Sequence, residues 1–325
     1  MKRQCVTAIT LIVSLLIFYF LILPILDFNQ LVDSLKNTDL ILFSLALLFI
    51  LLSNVIASLR WSILLQQVNA KYSQRFFNSL SMFCVGQIAG LVVPSRVGNY
   101  TKVPLVKKLD NLSYEAILAA VNAETILDLF YISCAGIVSM LILSTMISNY
   151  TSSSVILIML IFLILIGSLA ILVNIHRVQS IGEEMSLSES NWFVRTGSNF
   201  LGKCLNLLQS TRNILSKKIV VIKSFSLTLA SQFFWILGLF IIIESVHTSL
   251  PLVIVFAILS LTVIIGIASL IPGGFGASDL TLIALLGFEG IPIPVATNIM
   301  ILWRFGMYLP TLLVVGIYFI QKKLD

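Results

Sequence analysis

The feature that most constrains this chain is a series of long apolar stretches that carry almost no charge. A helix needs about 20 mainly apolar residues to cross the hydrocarbon core of a bilayer. Six stretches reach that length, at 5–23, 39–59, 116–147, 155–174, 224–246 and 296–320. Only 10% of the residues are charged, whereas soluble domains carry about a quarter. The sequence therefore predicts an all-α, polytopic integral membrane protein with no soluble catalytic domain.

The remaining composition excludes several other classes of protein. The net charge is +6, but Lys and Arg gather in the loops between apolar stretches, as in the cytoplasmic loops of membrane proteins, and form no nucleic-acid-binding face. The apolar run that ends at Leu23 is too long for a signal peptide, so we predict that it is retained as a span. The four cysteines are far apart in sequence, which favours small buried hydrophobes over a disulfide or zinc framework. We predict no cofactor and no metal.

Two shorter apolar stretches, 76–93 and 252–271, decide the topology. The positive-inside rule places the N-terminus in the cytoplasm. If 76–93 crossed the membrane, a run of basic residues would lie outside: Arg96, Lys102, Lys107 and Lys108. A re-entrant hairpin keeps them inside, and a second hairpin over 252–291, entered from the outside, returns the C-terminus to the cytoplasm. The sequence thus predicts about six full spans and two re-entrant hairpins.

The segment 175–223 is predicted to be a cytoplasmic insert. It is basic, and its apolar residues recur at helical spacing between Lys and Arg. This pattern is typical of an amphipathic helix at the interface with anionic lipids. Packing of the same helix against the inner ends of the spans is an equally supported interpretation.

The two hairpins resemble each other, which predicts an internal repeat. Ala89–Gly98 and Ala268–Gly276 each contain an apolar run, then Pro, then Gly four residues later. We interpret 1–325 as one membrane domain in which 1–147 and 155–325 are inverted-topology repeats, an architecture recurrent in transporters. Chance similarity is the alternative, because Pro and Gly are common in membrane helices. The hinge or gate residues predicted from these breaks are Pro94, Gly98, Pro272, Gly273, Gly274 and Gly276.

Charged residues inside the apolar segments predict a binding site. Glu124 and Asp128 lie four apart on one helical face, and Arg304 lies within the last span. Such residues usually face a cavity or pair with each other. We predict a central cavity that holds Arg96, Glu124, Asp128, Asp279 and Arg304, with the arginines contacting phosphate. A purely structural salt bridge from Arg304 to Glu124 or Asp128 is the alternative, and Arg60 and Lys102 are predicted to snorkel to the cytoplasmic interface.

Four short motifs occur in an order that resembles a known family. They are Leu59-Arg60-Trp61, Pro94-Ser95-Arg96-Val97-Gly98, Ala123-Glu124-Thr125-Ile126-Leu127-Asp128 and Ile271-Pro272-Gly273-Gly274-Phe275-Gly276. Together they resemble the lysylphosphatidylglycerol synthase transmembrane region, a flippase-like family. The resemblance implies a lipid or glycolipid translocase of the bacterial inner membrane, which works with a separate synthetase or glycosyltransferase. The chain departs from the family at Thr125, where Arg is usual, and at Asp279, where Glu is usual.

These features favour a flippase-like transporter that moves a phospholipid, an aminoacyl-lipid or a lipid-linked sugar through a polar cavity at the membrane midplane. An embedded enzyme of lipid or glycolipid biosynthesis is one alternative. It is weakened because the two histidines, His176 and His247, are predicted at opposite membrane faces and no catalytic constellation stands out. An accessory subunit is the other alternative. The sequence contains no ATP-binding loop.

Overall fold

The computed structural model describes residues 32–33, 36–68, 76–91, 95–110, 112–146 and 206–324, and its regular elements are helices. The α-helices are Leu40–Gln66 (α1), Phe76–Ala89 (α2), Lys102–Asp110 (α3), Tyr114–Met146 (α4), Lys218–Ser245 (α5), Leu252–Ala268 (α6), Ala277–Phe288 (α7) and Ile293–Leu324 (α8). A 3-10 helix covers Ser95–Thr101 and a further helical segment covers 206–215. The predicted spans 5–23 and 155–174, most of the insert 175–223 and Pro94 lie outside the described residues.

Four of these helices, α1, α4, α5 and α8, are long and apolar enough to cross a membrane. They confirm the spans predicted at 39–59, 116–147, 224–246 and 296–320. The start of α1 shows how the sequence sets such a helix, because the Asp39 carboxylate accepts hydrogen bonds from the backbone N–H groups of Ile41 and Leu42. That N-cap satisfies donors that the first helical turn leaves without partners. The helices expose large apolar side chains such as Ile41 and Phe319, as expected for lipid-facing surfaces.

The two predicted hairpin regions are helices interrupted by turns. α2 ends at Ala89, and the chain passes through the 3-10 helix into α3. α6 ends at Ala268, and a turn over 269–276 leads into α7, which packs against α6. With 14, 17 and 12 residues, α2, α6 and α7 are about 21, 26 and 18 Å long. Each falls short of the hydrocarbon thickness of about 30 Å, as the prediction of re-entrant hairpins requires.

The hairpin tips meet through their backbones. We call the turn around Gly90 and Gly98 the first tip and residues 269–276 the second tip. The N–H of Gly273 donates a hydrogen bond to the carbonyl oxygen of Gly90 at 2.8 Å. Within the first tip, a Cβ atom on Gly98 would lie 2.5 Å from the backbone N and Cα of Gly90, so only glycine allows this close approach. The described glycines of the two breaks, Gly90 and Gly273, therefore lie next to each other.

Two buried apolar clusters hold the described helices together. One includes Ile50 of α1 with Leu239 of α5 and Ile258 of α6. The other includes Trp61 of α1 with Ile117 of α4. α1 contributes to both clusters, and it lies so close to α5 that a Cβ on Gly238 would be 2.6 Å from Ile50. α1 therefore links the side of the molecule built from α5 to α8 with the side built from α3 and α4.

Candidate functional site

The first group of buried charges, which we call the Arg60 cluster, consists of Arg60, Lys102, Glu124, Asp128 and Thr228. Glu124 lies between two cations: its Oε1 is 3.0 Å from Nη2 of Arg60, and its Oε2 is 2.6 Å from Nζ of Lys102. Arg60 also pairs with Asp128 through Nη1 and donates from the same nitrogen to Thr228 Oγ1 at 2.8 Å. These contacts join α1, α3, α4 and α5.

The burial of this cluster overturns the prediction that Arg60 and Lys102 snorkel to the interface. Lys102 and Glu124 are fully buried, and Arg60 is 3% exposed. The Lys102 ammonium also lies 4.2 Å from the centre of the Trp61 ring, a favourable cation–π geometry. The prediction was wrong because Glu124 and Asp128 supply the countercharges inside the bundle, so neither cation has to reach water.

The second group, which we call the Arg304 cluster, consists of Arg304, Asp279, Ser278, Tyr308 and the carbonyl of Gly273. Arg304 donates from Nε to Asp279 Oδ1 at 2.7 Å and from Nη2 to Ser278 Oγ at 2.9 Å. Its Nη1 donates to the Gly273 carbonyl at 2.9 Å and to the Tyr308 hydroxyl at 3.0 Å. Asp279 in turn accepts from the N–H of Gly276 at 2.9 Å, which caps α7. One arginine on α8 thus contacts both the second tip, at Gly273, and the first turn of α7, at Ser278 and Asp279.

The pairing inside the membrane differs from the predicted salt bridge. In the structure Glu124 and Asp128 pair with Arg60, and Arg304 pairs with Asp279. Arg96 lies in the 3-10 helix of the first hairpin, and its side chain lies outside the described residues. The charges that the sequence singled out are therefore divided between two clusters, each with its own countercharge.

One cavity of about 340 Å³ joins the two clusters. From the Arg60 cluster, its wall contains Arg60, Glu124 and Asp128. From the Arg304 cluster, it contains Arg304, Gly273, Ser278 and Tyr308. The wall contains three of the residues predicted to share a cavity, Glu124, Asp128 and Arg304, whereas Asp279 contacts Arg304 but is not part of the wall. Substrate binding by these residues stays a prediction. Both hairpins contribute to this cavity.

The cavity wall also contains uncharged polar residues that the sequence reasoning missed. Gln87 of α2 donates from Nε2 to Asn54 Oδ1 of α1 at 3.1 Å, and Asn54 donates from Nδ2 to Thr311 of α8 at 3.3 Å. Asn99 and Gln232 also line the cavity. A usable signal was present, because a carboxamide inside a predicted span is itself unusual and marks a bundle interior or a cavity.

The predicted hinge residues that the structure describes occupy the two tips. Gly274 has φ +65°, a left-handed conformation that costs a residue with a side chain about 1–2 kcal/mol. Gly273 and Gly276 share the positive φ, and Pro272 precedes them in the same turn. Gly98 permits the backbone contact with Gly90 described above. Whether these residues act as hinges stays a prediction.

Comparison with known proteins agrees with this architecture. Residues 7–314 match the family described as the lysylphosphatidylglycerol synthase TM region. A UPF0104 membrane protein of Methanothermobacter thermautotrophicus is 26% identical over 285 residues, which cover 81% of this chain and 80% of that protein. The matched range includes both hairpins and both charged clusters.

Proposed function

This chain belongs to the lysylphosphatidylglycerol synthase transmembrane-region family, and from that premise we propose that it is a flippase-like transporter. It moves a phospholipid, an aminoacyl-lipid or a lipid-linked sugar from one leaflet to the other. The proposed location is the bacterial inner membrane, with both termini in the cytoplasm, as the positive-inside rule favours. A separate synthetase or glycosyltransferase supplies the lipid.

The observation that carries the proposal is the shared polar cavity. A lipid headgroup cannot cross the hydrocarbon core without losing its hydrogen bonds to water, which is costly. The cavity of about 340 Å³ lies between the two clusters and offers polar side chains as replacement partners, within a bundle whose outer surface is apolar. Polar groups inside a membrane protein usually mark a substrate or ion pathway for this reason.

The contact between the tips supports an alternating mechanism. A backbone hydrogen bond from Gly273 to Gly90 joins the two hairpins beside the cavity. Separation of the tips would open a route to one side, while the Arg60 cluster keeps α1, α3, α4 and α5 together. Movement of one repeat against the other around a fixed central site is the general scheme for transporters built from inverted repeats.

A reconstitution assay tests the proposal. The purified protein is placed in liposomes that contain lipids labelled with a fluorophore in both leaflets, and dithionite is added outside. We expect label from the inner leaflet to become accessible faster than in protein-free liposomes of the same composition. Equal rates for every lipid class would contradict the proposal.

An experiment in cells separates transport from catalysis. Lipids are quantified with leaflet-selective labelling in cells with and without the gene. Transport predicts a lipid that is lost from the destination leaflet but persists in the other leaflet. Loss of that lipid from both leaflets would instead support an enzyme or a subunit of a synthetic complex.

A further inference from the structure

We propose that the cavity receives an uncharged, polyhydroxylated headgroup, that is, the sugar of a glycolipid. This inference rests on the proposed function and names the substrate class of the same site. Three properties of the described cavity wall support it: its charges cancel, several of its polar groups have no described hydrogen-bond partner, and it contains a pair of aromatic rings. Each of these properties fits hydroxyl groups better than it fits a phosphate.

The charges of the two clusters cancel. Among the described residues, the clusters contain three cations and three carboxylates, which lie in direct contact: Arg60, Lys102, Arg304, Glu124, Asp128 and Asp279. Arg304 also donates hydrogen bonds to Gly273, Ser278 and Tyr308, so its guanidinium already has partners. A phosphate could use these arginines only by displacing a buried carboxylate, which would then lack a countercharge. The described arginines around the cavity therefore hold the helices of its wall in place and are not available to a phosphate.

Several polar groups of the cavity wall have no hydrogen-bond partner in the part of the chain that the structure describes. The carboxamides of Asn99 and Gln232 form no hydrogen bond within the described part of the chain, and both residues line the cavity. Two further lining residues, Arg60 and Thr262, carry a buried Nε and Oγ1 respectively with no partner among the described residues. Native proteins rarely leave buried polar groups unsatisfied, so the Arg60 Nε and Thr262 Oγ1 atoms point to a bound species. The half-buried carboxamides of Asn99 and Gln232 are available to contact the same species.

The chemistry of these groups matches hydroxyls. A carboxamide presents both donors and an acceptor, and a threonine hydroxyl can do either. A sugar hydroxyl also donates and accepts, so it can satisfy each of these neutral groups. A phosphate oxygen only accepts, and the acceptor oxygens of Asn99, Gln232 and Thr262 would stay without a donor. The carboxamides of Asn99 and Gln232 and the Thr262 hydroxyl thus favour a polyol, whose oxygens can also accept a hydrogen bond from Arg60 Nε.

Two tryptophans supply an apolar face beside these groups. Trp235 and Trp303 both line the cavity, and their rings meet edge to face with centroids 4.9 Å apart. An indole ring provides a flat apolar surface and a single N–H donor. Such a surface packs well against the C–H groups on one face of a sugar ring, while the hydroxyls at the edge of that ring reach the carboxamides.

The size of the cavity is consistent with a headgroup alone. Its volume of about 340 Å³ lies at the lower end of the range of about 300–1,000 Å³ typical of small-molecule sites. The acyl chains would remain outside among the apolar side chains that the helices expose.

The test compares two lipids that differ only in the headgroup. Monoglucosyl diacylglycerol and phosphatidylglycerol, each with the same fluorescent acyl chain, are reconstituted in separate proteoliposomes and followed with dithionite. We expect the glucosyl lipid to move faster. In Gln232→Leu, the ratio of the glucosyl rate to the phosphatidylglycerol rate should fall about fivefold, the effect of one lost hydrogen bond. Thr262→Val, which removes a hydroxyl with little change of shape, should lower the same ratio.

The control is Gln321→Leu, since Gln321 is exposed on α8 and should leave the ratio unchanged. A phosphatidylglycerol rate equal to or above the glucosyl rate, or a ratio that neither cavity variant alters, would overturn the sugar proposal and leave the transporter proposal standing. If neither lipid moves faster than in protein-free liposomes, the sugar proposal fails, and the transporter proposal fails with it when no other lipid class moves faster either.

Discussion

The Arg60 cluster and the Arg304 cluster both pair an arginine with carboxylates, but they differ in the sequence distance that their contacts span. The Arg60 cluster joins positions up to 168 residues apart, and Lys102 and Glu124 at its centre are fully buried. The Arg304 cluster joins positions at most 31 residues apart, and the Arg304 side chain keeps 14% of its exposure. One cluster connects four helices of the bundle, whereas the other fixes a turn onto a neighbouring helix.

This difference implies different consequences when a charge is removed. A charge left alone in the Arg60 cluster would be almost fully buried without a countercharge, so the whole bundle should lose stability. A charge left alone in the Arg304 cluster is closer to water and local to one tip, so the tip should loosen first. The four substitutions below test that distinction.

The largest effect is expected for Glu124→Gln. The substitution leaves Arg60 and Lys102 with only Asp128 as a countercharge, and breaking a buried pair in this way costs about 3–5 kcal/mol. The free energy of unfolding, measured in mixed micelles with increasing dodecyl sulfate, should fall by this amount. Glu115→Gln is the matched control on α4, because Glu115 is exposed and its loss should change stability by less than about 0.5 kcal/mol. Equal effects of the two substitutions would contradict a buried Arg60 cluster.

A double substitution sharpens this result. Lys102→Met removes the cation that Glu124→Gln leaves without a partner, so the double variant should be more stable than the sum of the single effects by about 1–3 kcal/mol. The same cycle with Lys107→Met should be additive, since Lys107 lies over the Tyr114 ring and outside the cluster. Additivity for Lys102 and Glu124 would show that their contact at 2.6 Å carries no coupling energy.

A smaller and more local effect is expected for Arg304→Lys. Lysine keeps the charge but loses the planar fork that contacts Asp279, Ser278 and the Gly273 carbonyl together. Loss of these charged hydrogen bonds should lower the free energy of local opening by about 1.5–3 kcal/mol. Hydrogen exchange should therefore accelerate in peptides covering 269–279 and stay unchanged in α1. Arg212→Lys serves as the control, because Arg212 lies in the helical segment 206–215 and is not part of the Arg304 cluster. Faster exchange throughout the bundle in Arg304→Lys would argue against a local role for Arg304.

The smallest effect is expected at the backbone of the second tip. Gly274→Ala forces a side chain into φ +65° and places its Cβ 2.9 Å from Ser278 Oγ, which Arg304 contacts. We expect a loss of about 1–2 kcal/mol in the free energy of unfolding. Gly287→Ala, with no atom within 4 Å of the new Cβ, should be neutral or stabilise α7 by up to about 1 kcal/mol. A larger loss of stability in Gly287→Ala than in Gly274→Ala would mean that the second tip tolerates a side chain.

The sequence predicted the long helices and the breaks, but it did not predict the partners of the charges. The length of the apolar stretches was sufficient to predict α1, α4, α5 and α8. The Pro- and Gly-containing motifs indicated where the shorter helices are interrupted. Arg60 and Lys102 were misplaced because their countercharge, Glu124, lies on another helix. The spans are apolar on all sides, so periodicity does not reveal which face turns inward. That rotation depends on the packing of the whole bundle, for example on the close contact of Gly238 with Ile50.

The most direct test of the account is to fill the shared cavity and measure lipid movement. Gln232 lines the cavity and is half-buried, so Gln232→Trp should occupy the cavity without removing a hydrogen bond seen among the described residues. The dithionite assay in proteoliposomes should then give the rate of protein-free liposomes, while dodecyl sulfate unfolding stays unchanged and Gln321→Trp transports normally. An undiminished rate in folded Gln232→Trp would contradict the claim that lipid headgroups pass through this cavity.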